Sequence, residues 1–121
     1  MTVISLAVAG TTILLNAAAA VADFANADFV LKTSAEVGVR PRWIPLLGAL
    51  KAAGAIGLAA GLLGLRDIGI AAAAGLVVFF IGAVGFHIRA RALHNIAFPL
   101  IFLALALATL MIWKGIGWPA H

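Results

Sequence analysis

Four apolar runs, at residues 2–22, 44–65, 68–87 and 95–113, alternate with short polar segments. At about 1.5 Å of rise per helical residue, such runs cross most or all of a hydrocarbon layer roughly 30 Å thick. The pattern predicts an all-α fold: a membrane four-helix bundle forming a single domain over residues 1–121. The first run has no Lys or Arg before its apolar core, which a signal peptide requires, so it reads as a retained helix. The segment 23–43 is the only long connection. Within it Phe24, Ala27, Leu31 and Ala35 recur at helical spacing, with Lys32 and Glu36 off that stripe. This predicts a short amphipathic helix lying in the interface between helices one and two. Gly38 and Pro41 end it, and Pro45 falls in the first turn of the second span, where proline is tolerated. Arg66-Asp67 reads as a two-residue turn that makes spans two and three antiparallel neighbours. Pro99 falls in the first turns of the fourth span.

Composition sharpens this picture. Of the 121 residues 65% are hydrophobic and 10% charged, against about 25% charged in a soluble domain. The net charge of +4 comes from scattered loop residues that form no basic stripe, so no nucleic-acid partner is expected. The absence of cysteine excludes disulfide exchange and Cys-ligated zinc or iron–sulfur clusters. Lys32, Arg40, Arg42, Arg89 and Arg91 lie in the two odd-numbered loops, against Arg66 and Lys114 on the other side. This bias predicts a multi-pass protein of the cytoplasmic (inner) membrane, with loops 23–43 and 88–94 cytoplasmic and both termini outside. Trp43 on one side and Trp113 and Trp118 on the other fit an interfacial aromatic belt.

Small residues mark two helix faces. Gly54, Gly57, Gly61 and Gly64 fall within about 80° of one another, and Gly57 and Gly61 form a GxxxG. Such a face lets a second backbone approach closely in lipid, where packing drives association. Ala71, Gly75, Gly82 and Gly85 give the third span a second small-residue face. These faces suit packing within the bundle, a homo-oligomer or other membrane subunits.

Polar chemistry collects at one end. Lys51 is the single charge inside the second span, about 10 Å deep from Ile44. A charge at the membrane centre costs at least about 2.5 kcal/mol. It either snorkels to the headgroups or pairs with Asp23 or Asp28. Asn16 is seven residues before Asp23, on the same face and at about the depth of Lys51, and is expected to hydrogen-bond between helices. His87, Arg91 and His94 align at i, i+4 and i+7 if the third helix extends beyond the membrane. Asn16, Asp23, Asp28, Lys51, His87 and Arg91 are thus the candidate ligand-binding residues. No catalytic residue is assigned. No metal site is expected either, because neither His lies deep between helices and no Cys or carboxylate joins them.

The segments ADFANADF at 22–29, VGVRPRWIPLLGALKAAGAIGLAAGLLGL at 37–65 and IGIAAAAGLVVFFIGAVGFHIRAR at 68–91 together resemble the DoxX-like family of small integral membrane proteins. The resemblance covers roughly residues 16–110, and LGALKAAGAIGL followed by a terminal HIRAR carries it most specifically. It implies a four-helix bundle in the cytoplasmic membrane and, for some members, association with quinone-coupled oxidoreductase complexes. Three functions follow for consideration. The first is a non-catalytic accessory or assembly subunit that packs through its glycine faces. The second is a quinone-binding or redox protein built around Lys51, and the third an oligomeric carrier of lipid or small solutes.

Overall fold

A computed structural model describes residues 3–115. Trp118 and the first residue of the predicted first span, Thr2, lie outside them. The regular elements are all helical: α1 (Val3–Phe24), α2 (Asp28–Glu36), α3 (Ile44–Leu62), α4 (Arg66–Arg89) and α5 (Ala97–Trp113). One-turn 3-10 helices at Pro41–Trp43 and Leu93–Asn95 lead into α3 and α5. α1, α3 and α4 are long and apolar enough to cross a membrane; α5, with 17 residues, is a shorter apolar helix.

The long helices neighbour one another in the ring order α1, α3, α4, α5, with α5 closing against α1. The faces they bury are unusual in chemistry. α1 buries Ser5, Ala9, Thr12, Asn16, Ala20 and Asp23, a stripe of small and polar residues at three- and four-residue spacing. Its larger apolar side chains, among them Ile4, Leu14 and Val21, point outward. Ile56, Val78 and Phe98 do the same on the other helices. Soluble monomers rarely expose apolar surface so continuously, whereas hydrocarbon accommodates it without cost. The core proper is thin, with Ala9, Leu58, Ala73, Leu76, Phe80, Ala106 and Trp113 at its centre.

Glycines set how closely α3 and α4 approach. A Cβ on Gly54 would fall 2.5 Å from the Leu76 side chain, and one on Gly57 would fall 2.6 Å from Ala72 Cβ. A Cβ on Gly61 would meet Gly69 Cα at 2.9 Å and the Trp113 ring at 2.6 Å. Trp113 is only 5% exposed, so it is a wedge in this seam and not the interfacial belt residue expected of it. Its carbonyl accepts from Arg66 Nε at 2.8 Å and from Arg66 Nη2, which fixes the end of α5 to the start of α4. Thr12 and Thr109 place their hydroxyls 3.2 Å apart and so join α1 to α5.

Several expectations need correction. Gly64 is not a packing residue: it has φ +111° and terminates α3, where Leu65 N–H bonds back to the Ala60 carbonyl at 3.0 Å. The turn is therefore 63–65, and Arg66-Asp67 form the first turn of α4. A Cβ on Gly75, Gly82 or Gly85 would meet nothing within 4 Å, so among the described residues no helix packs against these glycines. The alignment of His87, Arg91 and His94 does not form, because α4 stops at Arg89 and Arg91 turns the chain at φ +56°. α2 buries Val30, and Phe24, Leu31 and Ala35 of the apolar stripe are exposed.

Substitutions at Gly61 and Gly75 should therefore separate. Gly61→Val is expected to destabilise by at least about 1–3 kcal/mol through overpacking. Gly75→Ala is expected to leave the melting temperature unchanged or slightly raised, because Ala is the better helix former. Thermal unfolding in detergent measures both, and equal shifts would contradict the packing described here.

Candidate functional site

At the end where α1 finishes and α3 begins, the helices diverge around a cavity of about 810 Å³. Every helix contributes to its wall, and so does the Arg40–Trp43 stretch. The lining is mostly apolar, with Phe79, Phe80, Phe86, Phe98 and Phe102 on the α4 and α5 side and Leu47, Leu50 and Val30 opposite. Phe80 sits at the centre of an aromatic cluster, 4.9 Å from Phe79 and 5.1 Å from Phe102 between ring centroids. Such a volume and lining are typical of a site for a small apolar molecule.

Three polar side chains interrupt this lining from within the bundle. Lys51 Nζ lies 2.9 Å from Asp23 Oδ2, and the two side chains are 16% and 6% exposed. The pair forms because of a local feature of α3. One turn before Lys51, Gly48 is buried, and a Cβ there would fall 2.9 Å from Asp23 Cβ. The missing side chain lets the last turn of α1 lie directly against α3, within reach of the ammonium. Lys51 also stands 5.6 Å above the Phe79 ring, a favourable place for a cation.

His87 is the third polar group, 7% exposed in the last turns of α4. Its Nδ1 lies 2.9 Å from the Ala83 carbonyl one turn earlier. A carbonyl only accepts, so Nδ1 carries the proton, and in the neutral ring Nε2 is left as an acceptor. That Nε2 is buried with no hydrogen-bond partner. Outside the cavity lining, His94 Nε2 meets Glu36 Oε2 at 2.8 Å and links the end of α2 to the one-turn helix at Leu93–Asn95. At the rim Arg42 stacks 5.4 Å from the Trp43 ring centroid.

Of the six candidate residues, the structure brings Asp23, Lys51 and His87 to one cavity. Asn16 does not line it. Its Nδ2 donates to the Thr12 carbonyl at 2.9 Å within α1, and its Oδ1 is buried without a partner. The α1–α5 polar contact is made by Thr12 and Thr109 instead. Asp28 is exposed in the first turn of α2 and Arg91 is exposed in the turn after α4, so neither joins the site. Sequence reasoning missed Gly48 and the phenylalanines of the lining. Gly48 stands three residues before the lone buried Lys, which was the available signal. Among the described residues no group of three or more His, Cys, Asp or Glu side chains comes together to hold a metal ion.

The arrangement can therefore hold an apolar body among aromatic rings, donate from the ammonium and accept at the imidazole. A model of the DoxX-like family matches residues 7–109 of this chain, which includes all three polar groups. Neither a curated protein nor a solved structure matches it.

Removing one member of the ion pair leaves the other charge buried and alone. Lys51→Met and Asp23→Asn are each expected to destabilise by about 3 kcal/mol. The double variant is expected to recover more than half of that loss, because nothing uncompensated remains. A double-mutant cycle on detergent-solubilised protein measures this coupling, and strictly additive losses would show that the pair does not matter to stability.

Proposed function

Because this chain belongs to the DoxX-like family, we propose that it is a multi-pass membrane protein whose task is to hold a lipophilic small molecule in the cavity beside Lys51. The family match and three helices of spanning length support a bilayer environment. α5 is taken as the fourth span: its 17 residues reach about the lower limit for crossing. On the charge bias of the loops, the cavity end faces the cytoplasm of a bacterial-type inner membrane and both termini lie outside. α2 then lies near the interface and roofs the cavity with Val30 and its neighbours.

The observation that carries this proposal is the concentration of buried polar groups on one aromatic-lined cavity of about 810 Å³. A bundle that served only to dock against other subunits has no need of such a space. The Lys51–Asp23 pair gives the cavity fixed donors and acceptors without net charge, which suits a neutral ligand. A quinone is one molecule of this class, with its carbonyls on donors such as Lys51. The accessory or assembly role is the second proposal. What favours it is the open side of α4, where Gly75 and its neighbours form a shallow groove with Leu50, Ala53 and Gly54 of α3 that no helix of this chain fills.

Filling the cavity tests the first proposal. Gly82 lines it and has open space around it, so Gly82→Trp can project a ring inward without disturbing the backbone. Solvent extraction and mass spectrometry of protein purified in mild detergent are expected to recover a retained lipophile from the native chain. The Gly82→Trp variant is expected to have lost at least about 90% of it, at an unchanged melting temperature. Equal retention by a folded Gly82→Trp variant would place any bound molecule elsewhere on the protein. A native chain that retains nothing would remove the support for a binding role.

A further inference from the structure

His87 presents a specific demand that the ion pair does not. Its ring is 7% exposed, so the nitrogen not used by the Ala83 carbonyl is held away from bulk water. A buried acceptor left unmade costs about 1–3 kcal/mol, and such groups in native proteins generally find a partner. No side chain or backbone group among the described residues supplies one. Lys51, in the same lining, pairs with Asp23, and His94 pairs with Glu36; neither is a partner of His87. The lining around His87 is aromatic, with Phe86 beside it in α4 and Phe98 and Phe102 contributed by α5.

We infer that the cavity selects a lipophilic aromatic molecule bearing a hydroxyl group, and that His87 Nε2 is the acceptor for that hydroxyl proton. This rests on the proposed binding role and narrows it to one ligand class. A hydroxyl satisfies the one unpartnered buried acceptor carried by a described cavity-lining residue, and an aromatic body matches rings that prefer offset or edge contacts at 4.5–7 Å, typically worth about 0.5–1.5 kcal/mol each. A ligand with carbonyl or ether oxygens alone offers His87 a second acceptor, which leaves both lone pairs unsatisfied. Nε2 is closed to a water-sized probe in this conformation, so a hydroxyl reaches it only when neighbouring side chains shift. The Lys51 ammonium has N–H groups beyond the one on Asp23. These suit a second oxygen on the ligand but are not required for this selection.

The test compares 4-nonylphenol with 4-nonylanisole, which differ only in replacing the hydroxyl hydrogen with methyl. Binding to the full chain in dodecylmaltoside micelles is read from tryptophan emission, since Trp43 lines the cavity. Affinities are referred to the micelle-partitioned concentration of each probe. The phenol is expected to bind about tenfold more tightly than the ether, the effect of one buried hydrogen bond. In His87→Leu the ratio is expected to fall below about twofold while the ether's affinity holds. A second measurement does not depend on that variant folding. In protein carrying His94→Gln and His121→Gln with 15N-labelled histidine, the unprotonated Nε2 resonance of His87 is expected to move upfield with the phenol and not with the ether. Equal binding of the two probes, an unmoved resonance or undiminished selectivity in folded His87→Leu would each overturn the hydroxyl assignment and leave the binding role standing. Saturable binding of neither probe to folded protein would overturn both.

Discussion

A charge pair buried in an otherwise apolar bundle constrains everything around it. Neither Lys51 nor Asp23 is tolerable alone at that depth, so the end of α1 and the first turns of α3 must stay at matching height and in contact. Gly48 makes the contact sterically possible and Phe79 gives the ammonium an aromatic face to lean on. Beyond this close contact the helices diverge. The space they leave is the cavity. The opposite end is made differently, by glycines that admit a tryptophan ring and by a carbonyl clamped on a guanidinium, and it is closed.

The packing is consequently inverted relative to a soluble bundle. In α1 small and hydroxylated residues face inward, while Ile4, Leu14 and Val21 face outward. In lipid there is no gain from hiding large apolar side chains, so helix contact depends on how closely backbones approach and on the few polar groups that would otherwise meet hydrocarbon. Thr12 and Thr109 illustrate this at mid-bundle. Asn16 illustrates its limit, because half of its amide is satisfied inside its own helix and the other half is not.

The long helices and their order were legible in the sequence because long apolar runs have few alternatives. The pairing of Lys51 with Asp23 was legible as one of two choices, since both residues lie on inward faces near the same end. What periodicity cannot supply is the identity of the neighbour. It gives Gly75 and Gly82 an angle on α4 but does not say whether a helix stands there, and none does. It gave Trp113 a position near a helix end, where tryptophan commonly marks an interface, but could not show that Gly61 and Gly69 open a slot for its ring. It aligned His87 with Arg91 only if the helix ran on past the span, and α4 stops at Arg89 before the left-handed turn at Arg91, which leaves His87 at the cavity without Arg91.

The wedge formed by Trp113 has a consequence for how the molecule is made. A ribosome delivers α3 and α4 well before it reaches the end of α5. Until then the slot between Gly61 and Gly69 stands empty, and the two helices meet around a notch with nothing in it. The α3–α4 pair is thus incomplete by the width of one indole. α5 fills that gap and, through its carbonyl and Arg66, fastens that end. Assembly there waits on synthesis of residue 113, and a nascent protein halted before it would carry an unfilled seam.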